Sequence, residues 1–229
     1  SLTRAKKKLI VIGNRETLES NKDYKEFLEL TDGKIKNNSK VVLFMTTFKG
    51  TGKGSFFENN YPINMKAKDF DKLENYLEQN EMFIILKLHH INTLMSSDNF
   101  IKQYKNIIVL TTDELVEKNI FINQIFQYTS AMVTDYSSAL FDYLYVDKPI
   151  GFAFGDKEKF EKERGLISNF NDFVVGEKFS NFKGLINFLD NVNRGIDDFK
   201  GKRQKIHSLF NGLENKSYSK EICDIFIND

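Results

Sequence analysis

The sequence predicts an α/β domain, a doubly wound, Rossmann-like parallel sheet wrapped by helices. Three observations carry that prediction. Short, continuously apolar runs recur along the chain, as strands covered on both faces must be. Segments with apolar residues at helical spacing separate these runs. The 229 residues are 41% apolar and 14% aromatic, which is enough to bury the core such a sheet needs.

The first strand is "LIVIG" at 9–13. "VVLFMT" at 41–46 and "FIILKL" at 83–88 follow, and between them "AKDFDKLENYLEQN" sets Phe70, Leu73 and Leu77 on one face with charges opposite, a helix pattern. "IIVLT" at 107–111 leads into a helix that starts with Thr112, Asp113 and Glu114, after which "NIFINQIFQY" spaces Ile122, Ile125 and Phe126 helically. "AMVTD" at 131–135 turns directly into a helix starting at Ser137 or Ser138. "IGFAF" at 150–154 follows Lys148-Pro149, and "FVV" at 173–175 is read as the last strand. From 180 onward no strand-like run occurs, and "NFKGLINFLDNV", "IDDFKGKRQKIHSLF" and "SYSKEICDIFI" read as helices.

Composition narrows the function. Thirty-three basic residues nearly cancel thirty-two acidic ones, so no global field draws the chain to nucleic acid. The single cysteine, Cys223, sits in an apolar segment as a small hydrophobe, and one cysteine allows no internal disulfide, in keeping with a reducing compartment. The apolar runs fall far short of the roughly 20 residues that cross a bilayer. The chain opens on Ser1-Leu2 without an initiator methionine and is expected to be part of a longer protein. Two prolines, no tryptophan and abundant Lys, Asn, Ile and Phe suggest an AT-rich bacterial genome.

Doubly wound domains hold ligands beyond the carboxyl ends of their strands, so the loops after 46, 88, 111, 135 and 154 are the places to look. "TTFKGTGKGSF" at 46–56 fails as a nucleotide loop, because Gly54 follows Lys53 where a P-loop needs Ser or Thr, and Ser55 replaces the last fingerprint glycine. It stays a Gly-rich loop with Lys49 and Lys53, more often a surface turn than a phosphate cradle. His89 and His90 follow the third strand, at its carboxyl end; adjacent rings do not easily meet one ion, so a partner for an anionic ligand fits better than a metal ligand. His207, in a basic segment, reads as solvated surface. At "TDYSS" a helix start offers unpaired N–H groups, with hydroxyls from Thr134, Ser137 and Ser138, which suits phosphate. A plain N-cap by Asp135 or Ser137 is the alternative. Arg164 beside Gly165 can approach a phosphate bidentately at a turn. Lys200, Lys202, Arg203 and Lys205 are available to anionic lipid, although such runs are usually wet helix faces.

These residues together resemble the signature of the CDP-glycerol glycerophosphotransferase family, which builds teichoic-acid and related capsule polymers. The carriers are Thr134 to Ser138, Phe141-Asp142, Lys148-Pro149, Asp156 and Arg164-Gly165, with weaker likeness from residue 13 to the end. Three positions depart from the family pattern: His89-His90 for His-Pro, Thr46-Thr47-Phe48-Lys49 for Pro-Thr-aromatic-Arg, and Asn211-Gly212 for Asp-Gly. They leave open whether glycerol, ribitol or a sugar phosphate is transferred.

The resemblance implies the C-terminal half of a GT-B fold, with residues 1–40 as an interdomain linker region carrying the first strand and a helix, and 41–229 as the nucleotide-donor domain. It implies a CDP-alcohol donor, a polymer or lipid-linked acceptor hydroxyl, and a separate N-terminal acceptor domain with the expected catalytic base. The place of work would be the inner face of the bacterial plasma membrane, with peripheral membrane contact. His89 and Asp142 are the expected catalytic residues; Thr47, Thr134, Asp135, Ser137, Ser138, Arg164 and Gly165 are the expected donor and phosphate partners. No metal ligand set is predicted and no cofactor is required, Mg2+ entering only as a screen for the diphosphate. Two rivals stand beside this reading: a GT-B glycosyl- or sugar-phosphate transferase using a UDP- or CMP-sugar, and a non-catalytic nucleotide-binding module.

Overall fold

The structure, a computed structural model, describes residues 25, 28–31, 33–35, 39–47, 63, 65–87, 104–155, 157–166 and 170–211. The expected strand at 9–13, His89 and His90, Lys49 and Lys53, Asp156, Cys223 and the last expected helix lie outside the described residues. So does the side chain of Arg164.

Six strands form one sheet: β1 (Lys40–Phe44), β2 (Met82–Lys87), β3 (Ile107–Leu110), β4 (Ala131–Thr134), β5 (Ile150–Ala153) and β6 (Glu177–Phe179). Their order is β3-β2-β1-β4-β5-β6, and every neighbouring pair is parallel. The strands are buried on both faces, which is why they read as unbroken apolar runs. Alternate residues divide between two cores. Val41, Leu43, Ile85, Met132 and Phe152 face one side, and Val42, Phe44, Ile84, Val133 and Ala153 the other. A fully buried Leu or Ile of this kind stabilises the fold by about 1.5–3 kcal/mol.

Helices cover both faces. Against the second core pack α1 (Ala67–Gln79), through Phe70, Leu73 and Leu77, and α6 (Phe182–Arg194), through Leu185, Phe188, Leu189 and Val192. Against the first pack α2 (Thr112–Glu117), α3 (Ile122–Phe126), α4 (Ala139–Tyr143) with the 3-10 turn Leu144–Val146, and α7 (Lys200–Asn211) through Ile206. The short helix α5 (Lys157–Arg164) follows β5. Two starts are capped as their sequences suggest: Thr111 Oγ1 accepts from Glu114 N–H at 3.2 Å while Thr111 N–H donates to Glu114 at 2.7 Å, and Asn181 accepts from Gly184 N–H at 3.0 Å.

One strand was misplaced by the apolar pattern. Residues 173–175 are not a strand: Phe170–Phe173 is a 3-10 turn, Val174 N–H closes on Asn171 O at 3.3 Å, and the sixth strand begins only at Glu177. Val174 and Val175 are 1% and 0% exposed, so their apolarity reflects burial in the first core without ladder pairing. At Gly176 the chain passes so near β5 that a Cβ would lie 1.8 Å from Ile150 O, and only beyond it does pairing begin, Gly151 opposite Glu177. The edge strand itself alternates Glu, Lys, Phe and buries only Phe179.

The basic segment also differs from expectation. Arg203 is not part of a wet face but fully buried between Asp147 and Asp197, and Lys202 donates to Val174 O at 3.0 Å. His207 is half-buried, its ring set edge-on to Tyr145 at 5.1 Å. Exposed apolar positions had hidden the inward face of α7 from the pattern: Leu209 is 70% exposed, whereas Arg203 is inside.

Lys148 ties the amino edge together. Its ammonium donates to Gln127 O at 2.7 Å and to Thr129 O, and burial lowers its pKa to about 8. A folded chain that releases this proton first binds fewer protons than the unfolded chain between pH 8 and the usual lysine value. Stability is therefore expected to rise with pH from 8 to 9.5, on the order of 1–2 kcal/mol once the two carbonyl acceptors offset part of the burial. Above the ordinary tyrosine value Tyr143, whose pKa burial raises, reverses the trend. Urea unfolding at several pH values checks this: Lys148→Met should flatten the rise, and an equal slope in both proteins would refute it.

Candidate functional site

The strand order reverses between β1 and β4, so the loops leaving their carboxyl ends open a crevice at a topological switch point. Register sets what stands there. Phe44 is opposite Leu86 and Val133, and Thr134 is opposite Phe152, so Lys87, Met45, Thr134 and Phe152 form one row across the sheet.

The floor of the crevice is a weld between the two loops. Met45 N–H donates to Val133 O at 2.8 Å and Thr134 Oγ1 donates back to Met45 O at 2.9 Å. One residue further out, Thr47 donates to Asp135 Oδ1 twice, from its N–H at 2.8 Å and its hydroxyl at 2.7 Å. Thr134 and Asp135 are both 0% exposed. The structure brings Thr47, Thr134 and Asp135, expected as phosphate partners, together with these hydrogen bonds spent on one another and on the backbone. Hydrogen bonds to a carboxylate contribute about 1.5–3 kcal/mol each, so this floor is rigid.

Above the floor stand the two serines. Ser137 Oγ accepts from Ala139 N–H at 3.3 Å, and the helix begins at Ala139, later than either serine. The reason is local: a hydroxyl bonded two residues on holds the chain in a turn before the helix can start. Ser138 is exposed and its side chain makes no cap bond. Because α4 has five residues, the pull of a helix dipole here is small, and the hydroxyls are what the loop offers. Asp142 is exposed on α4, while the next residue, Tyr143, is fully buried with its hydroxyl sharing a hydrogen bond with Thr129 at 2.8 Å.

On the β5 side α5 ends at Arg164, and Gly165 closes it with φ of 73° and an N–H bond to Glu161 O at 3.0 Å. Tyr136 reaches across from the β4 loop and stacks on Phe154 at 5.2 Å and Phe160 of α5 at 4.2 Å. On the β2 side sits a residue the sequence reading passed over. Lys87 donates to Thr112 Oγ1 at 2.9 Å; burial lowers its pKa, while Asp113 and Glu114 act to raise it. The signal was a lone cation ending an otherwise apolar strand on the ligand edge.

Among the described residues no group of three or more His, Cys, Asp or Glu is placed to hold a metal, and no helix is long and apolar enough to cross a membrane.

The CDP-glycerol:poly(glycerophosphate) glycerophosphotransferase family matches the sequence over residues 16–228. The chain belongs to that family. Among curated relatives, the teichoic acid ribitol-phosphate polymerase TarL of Staphylococcus aureus (strain NCTC 8325 / PS 47) is 30% identical over 171 residues, covering 74% of this chain and 27% of its own length. A teichoic acid poly(glycerol phosphate) polymerase of Bacillus spizizenii (strain ATCC 23059 / NRRL B-14472 / W23) is 28% identical over 197 residues, covering 83% of this chain and 45% of its own. In fold, the wall teichoic acid polymerase TagF is similar with a TM-score of 0.62 at 21% identity, covering 93% of this chain and 49% of that one. The chain thus spans between about a quarter and a half of these relatives, and the Rossmann-like sheet expected for half of a GT-B architecture is the one it has.

Proposed function

We propose that this chain is the donor-binding half of a polyol-phosphate transferase, moving a polyol phosphate from a CDP-alcohol to a hydroxyl of a teichoic-acid or capsule polymer. The observation that carries the reading is the family match, which runs through both loops of the switch-point crevice. The acceptor oxygen attacks the β-phosphorus, the bond to the oxygen bridging the two phosphorus atoms breaks, and CMP leaves while a base takes the hydroxyl proton. Negative charge grows on the departing phosphate, and donors fixed beforehand at that place lower the barrier.

In this reading Ser137 and Ser138 donate to the diphosphate from the β4 loop, with Arg164 and Gly165 on the far side and His89 after β2. Thr47, Thr134 and Asp135 hold the floor, and Asp142 orients a donor hydroxyl or a neighbouring base. The longer protein supplies the acceptor domain and works at the inner face of the plasma membrane. CDP-ribitol is a second donor to weigh, because three curated relatives, at 30%, 28% and 26% identity, carry ribitol phosphate in their names.

A thermal-shift panel decides. CDP-glycerol or CDP-ribitol at a hundred times its dissociation constant should stabilise the chain by about 2.7 kcal/mol, and UDP-sugars and CMP-sugars should not. Stabilisation by a UDP-sugar alone would overturn the proposal in favour of a glycosyltransferase.

A further inference from the structure

The sequence of α5, KEKFEKER, has one side chain without charge, Phe160. A helix so polar has little else with which to dock on an apolar core. Its described attachments are few. Lys157 Nζ donates to Asn171 Oδ1 at 2.9 Å and lies over the Phe154 ring at 5.9 Å, both at the first turn. Further along, Phe160 stacks on Tyr136 with centroids 4.2 Å apart and planes 21° apart. Tyr136 lies in turn on Phe154 at 5.2 Å and 9°, and leans on Phe170 at 5.8 Å.

This stack joins two things the reaction needs together. Tyr136 stands between Asp135, part of the welded floor, and Ser137; Phe160 stands one turn before Arg164. Both rings are half-buried, so the stack sits at the rim of the ligand edge and adds less to the core than a fully enclosed aromatic would.

We infer that Tyr136 is a positioning residue: its ring, clamped between Phe154 and Phe160, sets how far the end of α5 stands from Ser137 and Ser138, so that both sides close on one diphosphate. This rests on the donor reading above. A flat ring between two flat rings fixes distance and tilt, whereas an aliphatic side chain of similar bulk would fill the space without fixing either.

Calorimetric titration of the 229-residue chain with CDP-glycerol and with CDP-ribitol tests it. Tyr136→Phe keeps the stack and should bind within about twofold of the parent. Tyr136→Leu and Phe160→Leu should each weaken binding about tenfold, with melting temperature little changed, and Arg164→Ala should do the same. The decisive measurement is the double variant Phe160→Leu with Arg164→Ala. Once α5 has lost its seat the arginine has little left to lose, so the pair should bind no worse than about twofold below the weaker single. Losses that multiply, to about a hundredfold, would overturn the inference, as would parent-like binding by Phe160→Leu or by Arg164→Ala. If Tyr136→Leu fails to fold, Phe160→Leu on the outer helix carries the same test. A parent chain that binds neither nucleotide overturns the donor reading and this inference with it, whereas a parent that binds and an insensitive stack removes this inference alone.

Discussion

Arg203→Ala is expected to cost about 3–5 kcal/mol of folding stability. The guanidinium is fully buried and uses both edges of its fork: Nε meets Asp147 Oδ1 at 2.8 Å, while the two terminal nitrogens meet Asp197 at 3.1 and 2.6 Å. One of them also donates to Asp147 O at 3.2 Å. Three separate pieces of chain thus converge on one side chain: α7, the connection before it, and the turn into β5. Removing it leaves two carboxylates facing each other with no cation, and a cavity where the fork lay. Asp147 also holds a left-handed backbone at φ 47°, uncommon for a residue with a side chain, and its carbonyl and carboxylate are what Arg203 and Gln204 fix. Arg203→Lys should recover only part of the loss, because one ammonium cannot serve two carboxylates in the fork's geometry. Urea unfolding of parent, Ala and Lys variants reads the result; a loss under about 1 kcal/mol for the alanine would show the ion triad to be dispensable.

The same residue shows where sequence reasoning runs out. The continuous apolar runs and the period-3.6 pattern located five of the six described strands and the helices around them, because strands covered on both faces have no choice but to be apolar. The patterns could not separate apolar because paired from apolar because buried, and Val174-Val175 is buried without pairing. Nor could they show that a charge in a basic run points inward, since partners for Arg203 come from residues 6 and 56 positions away. The site divides in the same way. "TDYSS" was legible as a strand running into a turn rich in hydroxyls, but that the Thr134 hydroxyl is spent depends on a loop 89 residues earlier in the chain. Lys87 carried a sequence signal, a lone cation ending an apolar strand on the ligand edge, but its partner Thr112 stands 25 residues further along the chain.

Asp135→Ala is expected to remove about 2–4 kcal/mol of stability and about tenfold or more of CDP-alcohol affinity, whereas Asp135→Asn should retain most of both. The carboxylate oxygen receives both Thr47 donors, and among the described residues it is the outermost tie between the β1 and β4 loops. Alanine leaves the part-buried N–H and hydroxyl of Thr47 without their acceptor and lets the two loops part, so the serines at 137 and 138 lose the floor that sets their height. Asparagine keeps an amide oxygen at the same place, able to accept from Thr47 at 2.8 and 2.7 Å, and exchanges the charge and the second oxygen for an amide NH2. The contrast separates two roles for one residue. A carboxylate that serves by holding the loops tolerates the amide, while one that takes a proton or meets a ligand cation does not. Thermal unfolding and calorimetric titration with CDP-glycerol and CDP-ribitol, run on both variants and on Thr47→Val, give the answer. Affinity that follows stability through the series places Asp135 under the site as its support. A stable Asp135→Asn protein that no longer binds or turns over donor would instead put the negative charge itself to work, and the weld would then be only part of what Asp135 does.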